Sequence, residues 1–324
     1  MTKRNLGIFL LLVAVVLFGY FASDRFFTAY NVENVIRRTS LMGILAIGAV
    51  FVIITGGIDL SIGSVVCLVG CLTPFFIVQK QLPVALVLPL MAVMCLAIGG
   101  FHGLLITKLK IQPFVVTLCG LLFYRGFARG VLGDTSQGFG ADYQGLRRLA
   151  TEEIFLFGWD VGIPIPAIIM AGVALAAALF LGGTKYGRYL FALGRNETAT
   201  RLSGVNTDRM VIVAYMICAA LSGLGGLLFI LDSNTAEPSG FGNFYELFAI
   251  AGAVLGGCSL RGGTGSVIGV IIGIAVIQIL QNLIIQVDWI PKTIEFAVIG
   301  AVILGGVVAD EVVRGLAGRA KAVS

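Results

Sequence analysis

The sequence has few charged residues. Asp, Glu, Lys and Arg make up 12% of its 324 residues and hydrophobic residues make up 58%, whereas a soluble globular domain carries about 25% charged residues. This composition excludes an ordinary soluble domain and indicates an integral membrane protein.

Signals for enzymatic chemistry are also missing. The nearest approach to a GxxxxGK[ST] phosphate-binding loop is GGTK at residues 182–185, which lacks the upstream glycine spacing and the Ser or Thr after the lysine. HExxH, GxSxG and clusters of metal ligands are absent from the sequence as well. We therefore expect no enzymatic activity, metal site or cofactor on this chain. Any ATP hydrolysis coupled to it must occur on a separate subunit.

Histidine and paired cysteines are scarce. The single histidine, His102, is expected to pack and hydrogen bond in the interior rather than relay protons, although an ionisable group inside a membrane is also a candidate functional residue. The six cysteines lie within or at the ends of apolar segments and form no CxxC pair. We interpret them as small buried hydrophobic residues.

Long apolar runs, by contrast, dominate the chain. A membrane-spanning helix needs about 20 mostly apolar residues. Ten candidate segments predict an all-α polytopic fold in one domain, residues 1–324, at about 6–22, 39–55, 60–78, 84–107, 111–124, 163–182, 211–231, 247–258, 267–286 and 294–309. The fifth and eighth segments are short for a full span, which is typical of partial or broken helices around a pathway.

The predicted orientation depends on positive charge. Lys3 and Arg4 precede the first apolar run, but the following YFASD lacks the small-residue pattern of a cleavage site. We interpret the run as a retained anchor with its N-terminus in the cytoplasm. With ten spans, the segments assigned to the cytoplasm carry an excess of Lys and Arg, and the short loop with Lys108 and Lys110 is the clearest case.

A polar stretch, VIITGGIDLSIGSVV, interrupts the apolar sequence at residues 52–66. Asp59 at the centre of a membrane would cost about 2.5–3.5 kcal/mol, so we expect it to avoid lipid. Gly56 and Gly57 allow backbone turns or close helix approach, and Asp59 or Ser61 can cap the helix that follows. We interpret the stretch as a break between two membrane helices, near the cytoplasmic side or partly within the membrane.

A second stretch resembles the first. GGCSLRGGTGSVIG at residues 256–269 has two glycines, a polar residue two positions on, a leucine, and a GSV that opens a new apolar run. The pairing of residues 56–65 with 256–267 suggests an internal duplication of the kind found in many transporters. Chance resemblance is the alternative in a chain with 44 glycines.

The largest polar insertion on the predicted inner face is residues 183–210. A short helix is predicted from Asn196 to Leu202, because Asn196 is a suitable N-cap, Glu197 suits the positive end of the helix dipole, and Gly204 is a natural stop. Such a helix suits docking of a partner, and an ordinary solvated connector is the alternative.

Four motifs in these regions resemble the membrane permease subunits of bacterial ABC sugar importers of the ribose, galactose and autoinducer-2 type. They are ITGGIDLSIGS at 54–64, QPFVVTL at 112–118, GRYLFALGRNETATRLSGVN at 187–206 and LGGCSLRGGTGSVIGVIIG at 255–273. The similarity spans nearly the whole chain. It departs at Arg195 and Thr198, where such permeases often have a small residue and an alanine, and we interpret this departure as an adaptation to the chain's own ATPase partner.

The resemblance implies an importer subunit in the bacterial inner membrane that conducts a monosaccharide, either a ribose-like pentose or a hexose. It implies three partners: an ATP-binding subunit that alone binds ATP, a periplasmic sugar-binding protein, and a second permease copy in a homodimer or heterodimer. No nucleic acid is implied. Asp59 then holds the broken helix in shape rather than carrying protons.

Two groups of site residues follow from this comparison. The residues expected to couple to the ATPase are Gly194, Asn196, Glu197, Ala199, Ser203 and Gly204. The residues expected at the translocation path or gate are Gly56, Gly57, Asp59, Ser61, Gly256, Gly257, Ser259, Gln278 and Asn282. Gln278, Gln281 and Asn282 can bind sugar hydroxyls or, equally, form hydrogen bonds between helices.

Other classes of transporter stay open. A nucleoside or branched-chain amino acid ABC permease is an alternative, because those families are distantly related. An ion-coupled secondary transporter would need an ionisable site near the midplane, and the candidates are few: Asp59, His102, Glu246 and Glu295. The sequence does not identify the sugar, because a separate binding protein would select it.

Overall fold

The computed structural model describes residues 3–155, 160–287, 291–305 and 308, with side chains from residue 7 onward. Its helices confirm the predicted all-α class. Within the described ranges, the only paired strands are β1 (Glu153–Ile154) and β2 (Ile163–Pro164), which form a short antiparallel hairpin.

The helices follow one another along the chain with short connections. They are α1 (Lys3–Ala22), α2 (Ala29–Ile54), α3 (Ile62–Pro74), α4 (Val84–Lys108), α5 (Pro113–Leu132), α6 (Gln144–Thr151), α7 (Ile165–Gly183), α8 (Lys185–Arg195), α9 (Glu197–Leu202), α10 (Thr207–Ser233), α11 (Tyr245–Leu255), α12 (Val267–Gln286) and α13 (residues 295–305). A π-helical turn, Phe75–Gln79, continues α3, and a 3₁₀ turn, Lys292–Ile294, precedes α13.

Each of the ten predicted apolar segments falls on a helix. Among the described residues, seven helices are long and apolar enough to cross a membrane: α2, α3 with its π-helical turn, α4, α5, α7, α10 and α12. The apolar part of α1, Gly7–Ala22, and the whole of α11 are shorter. Residues 306, 307 and 309 of the last predicted segment lie outside the described ranges.

The fifth segment is longer than predicted. Helix α5 contains 20 residues, from Pro113 to Leu132. It stops there because the next residue, Gly133, has a φ of 62°, which lies outside the helical range. The predicted segment stopped at residue 124, whereas the helix continues through two arginines. Both arginines have partners: Arg125 donates to three backbone carbonyls between residues 238 and 241, and Arg129 donates to Asp134 at 2.6 Å. That bond also lowers the pKa of the Asp134 carboxyl below its usual value.

The cysteines follow their prediction with one exception. Five are buried, but Cys119 is exposed on α5. Its helix presents one face outward, as do α4 and α7, and in a membrane such a face contacts lipid rather than water. Exposure of a small apolar thiol there carries no penalty, so burial inside the protein was the wrong expectation for Cys119.

Helices α2, α3 and α10 form the centre of the molecule. Every residue of α3 is buried, and α2 is buried continuously from Thr39 to Ile54. Helix α10 packs against α2, α3 and α4. The buried part of α2 and the whole of α3 are therefore mostly apolar around their circumference, as buried membrane helices are.

The helix ends gather on two faces. At one face Lys108, at the end of α4, forms an ion pair with Asp208, at the start of α10, with Nζ and Oδ2 2.8 Å apart. At the other ends of the same two helices, Gln79 donates to Gln137, whose backbone pairs with Ala236. We call the first of these the α9 face, because α8 and α9 lie there. Both glycine-rich breaks open on it.

Candidate coupling surface and helix breaks

Helix α9 is capped as its sequence predicts. Asn196 Oδ1 accepts the Ala199 N–H at 2.9 Å, Glu197 lies in the first turn, and Ser203 is the C-cap. Gly204 follows with φ of 83°, a left-handed conformation that glycine adopts without strain. The predicted short helix is confirmed, while its role in docking stays a prediction.

A groove of about 660 Å³ opens beside this helix on the α9 face. It brings together three predicted coupling residues, Asn196, Ala199 and Ser203, with side chains that the sequence analysis did not select: Arg188, Tyr189, Phe191, Ala192, Arg195, Thr200 and Val205. Most of these additional residues belong to α8. The amphipathic pattern of KYGRYLFALGR was the signal that could have found them.

Apolar side chains protrude beside the groove. Leu202 in α9 is 84% exposed and Tyr186 in α8 is 45% exposed. These helices lie beyond the ends of the membrane-spanning helices, where water rather than lipid would meet an exposed leucine. Both residues belong to the two helices that line the groove, and we expect them to extend its apolar surface. The sequence analysis missed Leu202, because one leucine in a short polar segment carries no periodic signal.

An ionic network joins α9 to the transmembrane helices. Arg201 donates to Glu197 at 2.7 Å and to Thr207 at 2.8 Å, and its guanidinium lies 3.1 Å from Asp208. The Asp208 carboxylate also accepts the Lys108 ammonium. Asp208 therefore connects α9 with the end of α4 and the start of α10.

The first break begins where α2 ends. The Gly56 N–H donates to Ile53 O at 2.9 Å and the Gly57 N–H donates to Val52 O at 3.2 Å. Gly56 has φ of 82°. This is the Schellman arrangement, in which a left-handed glycine closes the C-terminal end of a helix. The predicted helix break is therefore present, and glycine is needed at residue 56 because of its conformation.

Asp59 organises the segment between α2 and α3. It is 3% exposed, and its Oδ1 accepts the Ser61 N–H at 2.8 Å and the Ser61 hydroxyl at 2.6 Å. Ser61 occupies the N-cap position of α3, but its side chain makes no cap bond. The predicted cap is thus corrected: Asp59 binds the capping residue, just outside the helix, because Ser61 turns its hydroxyl back toward the carboxylate.

Two neighbouring helices hold the same segment. Tyr215 in α10 donates its hydroxyl to Ile58 O at 3.2 Å, and Thr117 in α5 lies 3.3 Å from the same carbonyl. Tyr215 lies eight residues beyond the start of α10, about 12 Å along the helix. The break therefore enters the helical bundle rather than lying on its surface.

The single histidine packs next to this segment. His102 is buried, its Nε2 lies 2.8 Å from the Tyr124 hydroxyl, and its ring contacts that of Tyr215 edge-on. Its Nδ1 has no hydrogen-bond partner within the part of the chain that the structure describes. The predicted buried, hydrogen-bonded placement of His102 is confirmed.

The second break repeats the geometry of the first. At the end of α11, the Gly257 N–H donates to Val254 O at 2.8 Å and the Cys258 N–H donates to Ala253 O at 2.9 Å, while Gly257 has φ of 87°. The structural counterpart of Gly56 is therefore Gly257. The sequence analysis paired Gly56 with Gly256, and that register is wrong by one residue, because the helix ends and not the glycine pairs are equivalent.

The other predicted residues of the second break have structural contacts. Ser259 Oγ accepts the Arg261 N–H at 3.2 Å inside the loop. Gly256 packs against the backbone of Gly269, so close that a Cβ at residue 256 would lie 2.5 Å from the Gly269 carbonyl oxygen. The glycine lets α11 and α12 approach each other. The N-cap of α12, Ser266, accepts the Gly269 N–H at 3.2 Å.

The polar residues of α12 are paired inside the chain. Asn282 donates to Asn31 of α2 at 2.7 Å. Gln278 donates to Gln281, which donates to Glu295 in α13. The Asn282–Asn31 and Gln281–Glu295 hydrogen bonds connect helices, which was the second of the two roles predicted, whereas the Gln278–Gln281 bond lies within α12. Gln278 and Asn282 lie about three to four turns along α12 from Ser266, and no hydrogen bond between described residues joins them to Asp59.

A bundle of apolar helices with two glycine-closed breaks that enter it from one face is the architecture expected of a membrane transport protein. The chain belongs to the family described as "Branched-chain amino acid transport system / permease component", which matches residues 31–307. It is a multi-pass membrane protein of that family.

Several relatives share most of the chain's length. The ribose import permease of Escherichia coli strain K12 is 38% identical over 290 residues, which cover 87% of this chain and 85% of the relative. The ribose import permease of Bacillus subtilis strain 168 is 35% identical and covers 86% of this chain and 84% of its own. The xylose transport permease of Escherichia coli strain K12 is 30% identical, with 96% and 93% covered. No solved structure matches the chain.

Proposed function

We propose that the chain is the membrane permease subunit of an ATP-driven importer for a monosaccharide of the ribose or xylose kind, delivered by a periplasmic binding protein. The observation that carries the proposal is the full-length similarity to permeases named for ribose and xylose. The described residues supply the matching apparatus: a bundle of spans and a capped helix beside an open groove.

The energy source is a separate ATP-binding subunit. The sequence holds no phosphate-binding loop, whereas the groove on the α9 face offers an apolar and cationic surface for a partner. Its occupant is the ATP-binding subunit, and Leu202 with Tyr186 provides exposed apolar contact area at the rim. The permease itself is not an enzyme and binds no cofactor.

The orientation follows from charge. Lys108 and Asp208 are paired, so the short Lys108 loop and the α9 segment lie on one face. The excess of Lys and Arg in these short segments assigns that face to the cytoplasm. The N-terminus then lies in the cytoplasm, the membrane is the bacterial inner membrane, and two permease copies together enclose the path.

Amino acid import is the second candidate, favoured only by the family's description as a branched-chain amino acid transport permease. The relatives at 30–38% identity are named for pentoses, so sugar import takes precedence. Ion-coupled transport fits less well, because the Asp59 carboxylate is already engaged by two donors of Ser61. An ATP-coupled pathway needs no titrating group at that place.

Reconstitution tests this function directly. The permease is placed in liposomes with the ATP-binding subunit and binding protein encoded beside it, and uptake of labelled ribose, xylose and leucine is measured with and without ATP. We expect ATP-dependent uptake of a pentose and no ATP hydrolysis by the permease alone. Leucine uptake would favour the second candidate, and uptake driven by a proton gradient without ATP would contradict the proposal.

A further inference from the structure

Three glycine-containing segments that are remote in sequence meet on the α9 face. They are the end of α2 with Gly56, the end of α8 with Gly194, and the turn formed by Gly262 and Gly263 in the second break. We call these four glycines, with the Ile54 carbonyl, the glycine junction. The inference drawn from it depends on the proposed function.

Direct backbone contacts connect the two breaks. The Gly263 N–H donates to Ile54 O at 2.8 Å, so the turn of the second break satisfies a carbonyl at the end of α2. A Cβ added to Gly262 would lie 2.9 Å from the Gly56 nitrogen. Real Cβ atoms do not approach other atoms so closely, so the backbones of the two turns are in direct contact. A displacement of one turn must therefore either carry the other turn with it or break this contact.

Helix α8 touches both breaks at one residue. A Cβ added to Gly194 would collide with Ile54 O and with the Gly263 nitrogen, and a Cβ on Gly262 would lie 2.8 Å from the Gly194 carbonyl oxygen. The next residue, Arg195, donates its Nε to Gly263 O at 3.4 Å. Because Gly194 has no side chain, its backbone lies directly against the hydrogen bond between the Gly263 N–H and Ile54 O.

The junction lies between the groove and the membrane interior. Arg195 lines the groove, whereas the segment after Gly56 leads within a few residues to Ile58, which Tyr215 holds inside the bundle. A displacement of α8 and α9 thus reaches the first break through Ile54 and the second through Gly263. No flexible side chain separates the moving parts, so the contact transmits displacement rather than absorbing it.

We propose that the glycine junction transmits movement of the ATPase-docking helices to both helix breaks, and that Gly194 is the positioning residue at which this transmission occurs. Glycine is required there because any side chain would push α8 away from Ile54 and Gly263. The ATP-binding subunit would still dock in the groove, but less of its movement would reach the breaks.

The test is Gly194→Ala in the reconstituted complex, with Gly182→Ala as the matched control. Gly182 lies in the last turn of α7, and a Cβ there meets nothing within 4 Å. We expect Gly194→Ala to reduce sugar transported per ATP hydrolysed by about 10- to 100-fold, as a misplacement of about 1 Å does where geometry is critical. Binding of the ATP-binding subunit and ATP hydrolysis are measured for both variants, so that transport per ATP is compared at equal occupancy of the groove, whose lining side chains are unchanged.

Uptake by the wild-type complex separates the proposed function from the proposed role of the glycine junction. If the wild-type complex transports no sugar, the proposed function is contradicted and the junction is not. With active wild type, normal transport by Gly194→Ala overturns the junction, and so does loss of ATPase binding, which would make Gly194 part of the docking surface. Arg195→Ala is a second variant, which introduces no steric clash because it shortens a side chain. Since Arg195 also lines the groove, its transport is measured at a saturating concentration of the ATP-binding subunit. We expect transport per ATP to fall about two- to tenfold, the range for one hydrogen bond. If Gly194→Ala is absent from the membrane, unchanged coupling in Arg195→Ala overturns the proposal.

Discussion

Replacing Asp59 tests how the first break is held together. The carboxylate accepts two donors of Ser61, at 2.8 Å from the amide and 2.6 Å from the hydroxyl. Both residues are buried, at 3% and 1% exposure. Asparagine keeps an oxygen acceptor in the same place. Leucine is similar in size to aspartate but accepts no hydrogen bond.

The two replacements differ in magnitude. A hydrogen bond to a charged group contributes about 1.5–3 kcal/mol and a neutral bond about 0.5–1.5 kcal/mol. Asp59→Asn keeps two weakened bonds and loses about 2 kcal/mol, while Asp59→Leu loses both bonds, about 3–6 kcal/mol as an upper bound. We expect sugar uptake to rank wild type, then Asn, then Leu.

The assay is ATP-dependent uptake in proteoliposomes, normalised to the amount of permease in the membrane. Ser61→Ala is the matched control, because it removes the hydroxyl donor and leaves the amide bond to Asp59. We expect it to lose less activity than Asp59→Leu. Equal and complete loss in the Asn and Leu variants, at normal membrane levels, would refute a structural role, because it would show that uptake needs the charge or proton of the carboxylate.

Three further predictions concern the α9 face. Asn196→Ala removes the cap of α9, which costs about 0.5–2 kcal/mol, and should weaken binding of the ATP-binding subunit in a pull-down titration; unchanged affinity would contradict docking at α9. Asp208→Asn should reduce coupled uptake more than Lys108→Ala, because Asp208 also contacts Arg201, and the reverse order of uptake rates would be inconsistent with its central position. Single cysteines at Lys108 and Glu197 in a cysteine-free background should resist impermeant thiol reagents in spheroplasts, and labelling from outside would reverse the predicted orientation.

The membrane helices were predictable because apolar length is a property of each segment alone. All ten predicted runs are helical, and α11 is short as expected. The predicted length was wrong for α5, which continues past residue 124 through Arg125 and Arg129. Arg125 is accommodated by carbonyls more than a hundred residues away, and a local pattern carries no information on such a partner.

The site residues also divide into those whose contacts are local in sequence and those whose contacts depend on the fold. Capping of α9 by Asn196 and the turn at Gly56 depend on residues within five positions, so the sequence predicted both. The contacts of Gly194 with Ile54 and Gly263 join three segments that lie far apart in the chain, and only the fold brings them together. The one-residue error between Gly56 and Gly257 arose because glycine pairs were aligned and helix ends were not visible.

Helix α10 provides a second connection between the docking helices and the first break. Asp208 at its start binds Arg201 of α9, and Tyr215, seven residues or about two turns later, binds Ile58 O. Residues at this spacing lie on one face of a helix. Because α10 is a continuous helix, it holds α9 and the first break at a fixed distance from each other even where a side chain at residue 194 separates the glycine junction. For this reason Gly194→Ala should lower the amount of sugar transported per ATP hydrolysed without abolishing it, while the arrangement of the spans is retained.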